Sequence, residues 1–153
     1  MDSVSNQIEL KFIFDIDSNK KIEKELIASC DYKLIVDIEG RLDIYVNDKL
    51  FFSDQYILLL ELGISLTKWI QKIKLDKTED FKYVTMDYND GPILEFIKCS
   101  NNRWRIYSQW QEFECHMEIP EYTLVQVVEH FLIDLQERLL NTYQINLKDY
   151  VNN

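Results

Sequence analysis

The chain has 153 residues, 46% of them hydrophobic and 13% aromatic, and its 17 Lys and Arg against 27 Asp and Glu give a formal net charge of −10 at pH 7. With only 3 Gly and 2 Pro this is not the composition of a disordered or fibrous chain, and the length suits one folded domain over residues 1–153. The acidic excess argues against sequence-independent binding to nucleic acid or anionic membrane, which needs Lys and Arg against phosphates, so a charged partner is expected to be basic.

The first residues, MDSVSNQIELKF, lack a basic stretch followed by an apolar run, and a cytoplasmic protein is expected. The longest apolar stretch, residues 57–60, is broken by Glu61, far short of the ~20 residues that span a bilayer. Cys30, Cys99 and Cys115 form no CxxC and have no His at zinc-ligand distance from any pair. Free thiols in or near the core are expected.

Residues 8–16 (IELKFIFDI) alternate, with Ile8, Leu10, Phe12, Phe14 and Ile16 on one side, which predicts a half-buried strand. Residues 18–30 are rich in Lys and Glu and read as a turn or two of helix or as a charged loop. Strands are predicted over 32–39 and 41–46, joined at Gly40, with a tight turn at Asn47-Asp48 into 50–52. Over 54–73 the period changes to that of a helix, with Asp54 or Ser53 as N-cap and Lys72 and Lys74 at the dipole's negative end. Gly63 inside it points to a kink or a close helix-to-sheet contact.

From residue 81 the pattern returns to strands, over 81–88, 92–98, 103–108 and 110–117, linked by Asn89-Asp90-Gly91 and Ser100-Asn101-Asn102. Pro120 then opens a second long helix to residue 143, with Leu124, Val127, Val128, Phe131, Leu132, Leu135 and Leu139 as its apolar stripe. The expected class is α+β, a largely antiparallel sheet of six to seven strands with two long helices packed on one face.

No chemistry-bearing motif stands out. Residues 86–91 (MDYNDG) supply oxygen ligands, but adjacent Asn89 and Asp90 break the alternating register of a calcium loop, and a hairpin turn with Gly91 in the left-handed region is the better reading. Cys115 and His116 are neighbours and point to opposite faces of a strand, so they make no thiol–imidazole pair. The carboxylate pairs Asp37/Glu39, Asp87/Asp90 and Glu112/Glu114 are what chance produces among 27 acidic residues. GxGxxG, GxxxxGK[ST], HExxH and GxSxG are all missing from the sequence. A protein without enzymatic activity is expected, with no catalytic or metal-binding residue and no cofactor. A small hydrolase using one of the carboxylate pairs, or a regulatory domain, is the alternative.

The remaining signal is a surface. Trp104, Tyr107 and Trp110 lie near Glu112, Glu114, Asp87 and Asp90, the composition of aromatic anchors within an acidic rim, and these seven are the candidate partner-binding residues. The run DYNDGPILEFIKCSNNRWRIYSQWQEFE, followed by an amphipathic helix, resembles the small acidic immunity proteins that Bacillus-type bacteria encode beside polymorphic toxins. The resemblance implies a non-enzymatic inhibitor of a cognate toxin, often a basic nuclease. A monomer is expected, or a homodimer if Trp104, Tyr107 and Trp110 bury one another across a two-fold axis.

Overall fold

The computed structural model describes residues 8–18, 21–85 and 91–151. Strand β1 (Leu10–Ile16) follows the expected alternation: Leu10 and Ile16 are buried, and Phe12 and Phe14 turn inward. It pairs antiparallel with β2 (Glu39–Val46), which pairs antiparallel with β3 (Lys49–Leu58). Asn47 and Asp48 turn the β2–β3 hairpin with φ of 50° and 66°, the doubly left-handed turn whose twist matches the strands it joins. At Gly40 a Cβ would meet the Asp15 carbonyl oxygen at 2.2 Å, so only glycine lets β1 and β2 approach there.

A second antiparallel sheet holds β4 (Phe81–Tyr83), β5 (Leu94–Cys99), β6 (Arg103–Tyr107) and β7 (Ile119–Pro120), in that order. Asn101 and Asn102, with φ of 62° and 55°, repeat the same turn between β5 and β6. The protein is therefore α+β, and its described residues form two antiparallel sheets, of three and four strands, rather than one. Among the described residues five helices accompany them: α1 (Lys24–Ala28), α2 (Lys33–Asp37), α3 (Leu59–Lys74), α4 (Glu121–Tyr143) and α5 (Lys148–Val151). Among the described residues no helix is long and apolar enough to cross a membrane.

The two long helices share one core with both sheets. Phe131 of α4 meets Phe12 and Phe14 of β1 edge-on at 5.8 and 5.3 Å. Trp69 of α3 meets Phe81, Phe96 and Trp104 of the second sheet at 5.2–5.9 Å. Phe12 and Phe96, 6.5 Å apart, connect the two groups. Gly63 serves a helix-to-helix contact instead of a helix-to-sheet one: a Cβ there would lie 2.6 Å from Leu135 of α4.

Three segments depart from the pattern reading, each because a specific interaction outweighs local propensity. The strand expected over 32–39 is largely the helix α2, whose first turn is held by the Lys33 N–H donating to Asp31 Oδ1 at 2.9 Å, with Leu34 and Ile38 buried four apart on one face. The helix expected from residue 54 begins at Leu59, because pairing of Ile57 with Gly40 and Leu58 with Glu39 extends β3. Asp54 caps no helix and accepts the Tyr56 N–H at 2.7 Å. The strand expected over 110–117 is not regular structure. Ser108 locks a turn instead, its Oγ accepting the Trp110 N–H at 3.0 Å and its own N–H donating to Gln111 Oε1 at 3.2 Å. The chain then crosses to the first sheet, where the Glu112 N–H donates to the Phe51 carbonyl at 2.8 Å. The segment 86–90 lies outside the described residues.

Trp104 is fully buried against Trp69, and its indole N–H donates to Glu121 Oε1 at 3.0 Å. Trp104→Ala is expected to cost about 3–5 kcal/mol of stability through the lost apolar surface and the cavity left behind. Trp110→Ala, at a half-buried position, should cost clearly less. Denaturant unfolding of the two variants measures the difference.

Candidate functional site

The seven candidate residues do not form one surface. Trp104 belongs to the core, which corrects its assignment as an anchor: period two along β6 sends Trp104 and Ile106 inward and Arg103, Arg105 and Tyr107 outward. Tyr107 and Glu114 share a pocket of about 340 Å³ on the outer face of the second sheet, with Ile97, Arg105 and His116. There His116 is bracketed by Arg105 Nη2, 3.2 Å from its Nδ1, and Glu114 Oε2, 3.2 Å from its Nε2. Arginine can only donate, so Nδ1 accepts and the ring proton sits on Nε2, facing the carboxylate. Glu112 is exposed beyond the crossing to Phe51. Asp87 and Asp90 lie outside the described residues; Gly91, which follows them, has φ of +131°, a conformation open to glycine.

Trp110 stands apart. Its ring stacks on the fully buried Phe52 at 6.5 Å with 15° between planes, and next to it Phe113 meets Phe51 edge-on at 5.6 Å. Two β3 aromatics thus clamp the irregular segment to the first sheet and hold the indole as a rigid wall. That wall closes a cleft of about 240 Å³ between the end of β3 and the end of β4. Asp54 and the 75%-exposed Tyr56 stand on the β3 side, and Tyr83, Thr85 and Ile93 complete the lining. Among the described residues no Lys, Arg or His lines it.

The floor of this cleft is polar and incompletely satisfied. Tyr83 is 2% and Thr85 7% exposed, and neither hydroxyl makes a hydrogen bond of good geometry, although Glu61, Thr85 and the Leu58 backbone lie within the Tyr83 phenol's reach. Behind them Glu61, in the first turn of α3, has its Oε1 shut away from solvent and unpaired. These groups are close enough for the Glu61 carboxylate to act on the Tyr83 phenol electrostatically. Sequence reasoning missed Asp54, Tyr56, Tyr83, Thr85 and Glu61. Extending β3 to Leu58 would have brought Asp54 and Tyr56 to the strand's end, but nothing in the sequence marks the unpaired hydroxyls.

A larger groove of about 550 Å³ runs between α3, α4 and α5, walled mainly by apolar side chains such as Ile70, Leu132 and Ile133 and crossed by the Lys74–Glu129 ion pair at 2.8 Å. Among the described residues none that lines it carries an unpaired buried polar atom, whereas the smaller cleft has two such atoms in its lining, the hydroxyls of Tyr83 and Thr85.

Burial pushes the Tyr83 phenol well above the usual tyrosine value, and the Glu61 charge adds to the rise. The neutral phenol is thereby favoured in the folded state, so its contribution to stability is whole below the ordinary tyrosine pKa of ~10 and is lost as pH climbs through and above that value. Tyr83→Phe is expected to flatten the alkaline fall of the melting temperature. A residual slope should remain from Tyr143, raised by burial, and from Tyr150, pushed up to about 12 by burial. Thermal melts between about pH 8 and pH 11 read this; an unchanged slope in the variant would assign the whole effect to the other tyrosines.

No curated protein and no solved structure matches the chain. One family model does, over residues 12–141, from Phe12, the first inward phenylalanine of β1, to within two residues of the end of α4. Since this span takes in both sheets, both long helices and the Trp110 cleft, the chain belongs to the family described as a domain of unknown function, DUF7878.

Proposed function

We propose that this protein is a non-enzymatic inhibitor of the immunity type, which binds and neutralises a basic toxin domain such as a nuclease. The observation that carries the reading is the Trp110 cleft: a rigid tryptophan wall, an exposed tyrosine and an aspartate at the mouth, and no basic lining residue among the described residues, on a chain of net charge −10. Aromatic anchors in desolvated pockets carry most of the energy of protein interfaces, while acidic surroundings speed encounter with a basic partner. The surface around Tyr107 and Glu114 is the second part of the same reading, and it adjoins Trp110 through the turn at Ser108.

Trp110→Ala is expected to weaken binding to the cognate domain by about 2 kcal/mol or more, mostly through faster dissociation. Glu112→Gln and Glu114→Gln should mainly slow association and flatten its dependence on salt. Surface-immobilised kinetics over a range of ionic strength separates the two effects. The decisive experiment is co-expression with the C-terminal domain encoded by the adjacent gene: rescue of growth supports the proposal, and failure to rescue with both proteins made overturns it.

A further inference from the structure

We propose that the Trp110 cleft receives one arginine side chain of the protein partner, whose guanidinium donates to the hydroxyl oxygens of Tyr83 and Thr85 and faces the Glu61 carboxylate behind them. The chemistry of the floor selects the guest. A carboxylate oxygen only accepts hydrogen bonds, and the two hydroxyls bring one proton each, so the three groups together offer more acceptor sites than they can fill among themselves. An anionic guest such as phosphate or carboxylate would bring further acceptors and a like charge. A neutral apolar guest would leave the oxygens unpaired at the usual desolvation cost. A cation rich in N–H groups meets both needs, the missing donors and the charge.

Between the two cationic side chains the walls favour arginine. Trp110 is a flat ring fixed against Phe52, and a guanidinium stacks on such a ring and gives up its hydration more readily than an ammonium does. Ile57, Leu58 and Ile93 supply apolar lining for the aliphatic stem. Asp54, its Oδ1 tied to the Tyr56 N–H at 2.7 Å, places a second carboxylate at the mouth.

The inference rests on the inhibitor reading only in naming a protein as the source of the arginine; the cleft itself is tested without the partner. The intact protein is titrated with N-acetyl-arginine amide, N-acetyl-lysine amide and N-acetyl-norleucine amide, following backbone amide resonances. The arginine compound should give saturable shifts centred on Tyr83, Thr85, Ile93 and Trp110, the lysine compound weaker binding, and the norleucine compound no saturation. Glu61→Gln should lower the arginine affinity about tenfold, by removing the buried charge behind the Tyr83 hydroxyl. Asp54→Asn, at the more open position, gives a second reading, a smaller loss, should the Glu61 variant fold poorly. Equal shifts with arginine and norleucine, shifts located elsewhere, lysine binding as tightly as arginine, or no loss in either variant would overturn the proposal. Failure to neutralise a toxin would leave this titration unchanged, so the two readings fail separately.

Discussion

The contact between Trp69 and Trp104, rings 5.2 Å apart at 85°, is the constraint on which the arrangement of the second sheet depends. A buried tryptophan contributes a large apolar surface, yet its N–H must still find an acceptor. Both acceptors here come from distant points of the chain. Trp69 donates to the Glu79 carbonyl at 3.0 Å, which fixes the return from α3 into β4. Trp104 donates to Glu121 Oε1 at 3.0 Å, and Lys98 lies 3.4 Å from that oxygen and 5.5 Å from the Trp104 ring centroid. Glu121 opens α4, where a carboxylate also complements the helix dipole. One aromatic pair therefore sets where β4 enters and where α4 starts.

The cleft inherits its shape from that pair. Phe81 packs on Trp69 and Phe96, and the alternation along β4 then carries Tyr83 to the same inward side two residues on. Tyr83 reaches Glu61 because α3 is held against the same sheet by Trp69, eight residues further along that helix. The opposite wall has a separate origin, in the clamp of Trp110 and Phe113 on Phe52 and Phe51. A site thus forms where the two sheets come together, from residues that are distant in sequence.

That origin explains what the sequence made legible. Strand β1, the hairpin turns at Asn47-Asp48 and Asn101-Asn102, and α4 with its stripe all follow from local periodicity and turn chemistry, and each lies within a residue or two of its expected place. The errors fell where long-range pairing decides. Residues 54–58 have no intrinsic preference strong enough to resist pairing with β2, and 110–117 alternates in composition but, once Ser108 turns the chain, meets the edge strand β3 through the Glu112–Phe51 backbone bond and not through a ladder. The split into two sheets has the same cause. Trp104 and Trp110 look alike in sequence, six positions apart in an aromatic, acidic run, and only the register of β6 against β5 separates a core residue from a wall of the cleft.

Unpaired polar atoms near a surface opening have a definite energetic meaning. Leaving a buried donor or acceptor unsatisfied costs about 1–3 kcal/mol, against a total stability of roughly 5–15 kcal/mol for an ordinary domain. Glu61, Tyr83 and Thr85 lie within one another's reach without well-formed hydrogen bonds, so part of that cost falls on the free protein and is relieved by whatever supplies donors at that point. Net charge alone cannot do this. A field from ten excess negative charges attracts any cation and is damped within about 8 Å at physiological ionic strength. It speeds encounter without selecting a partner. Selection requires a short-range element that distinguishes one cation from another, and a fixed indole over an acceptor-rich floor provides that distinction at a scale where salt no longer screens it.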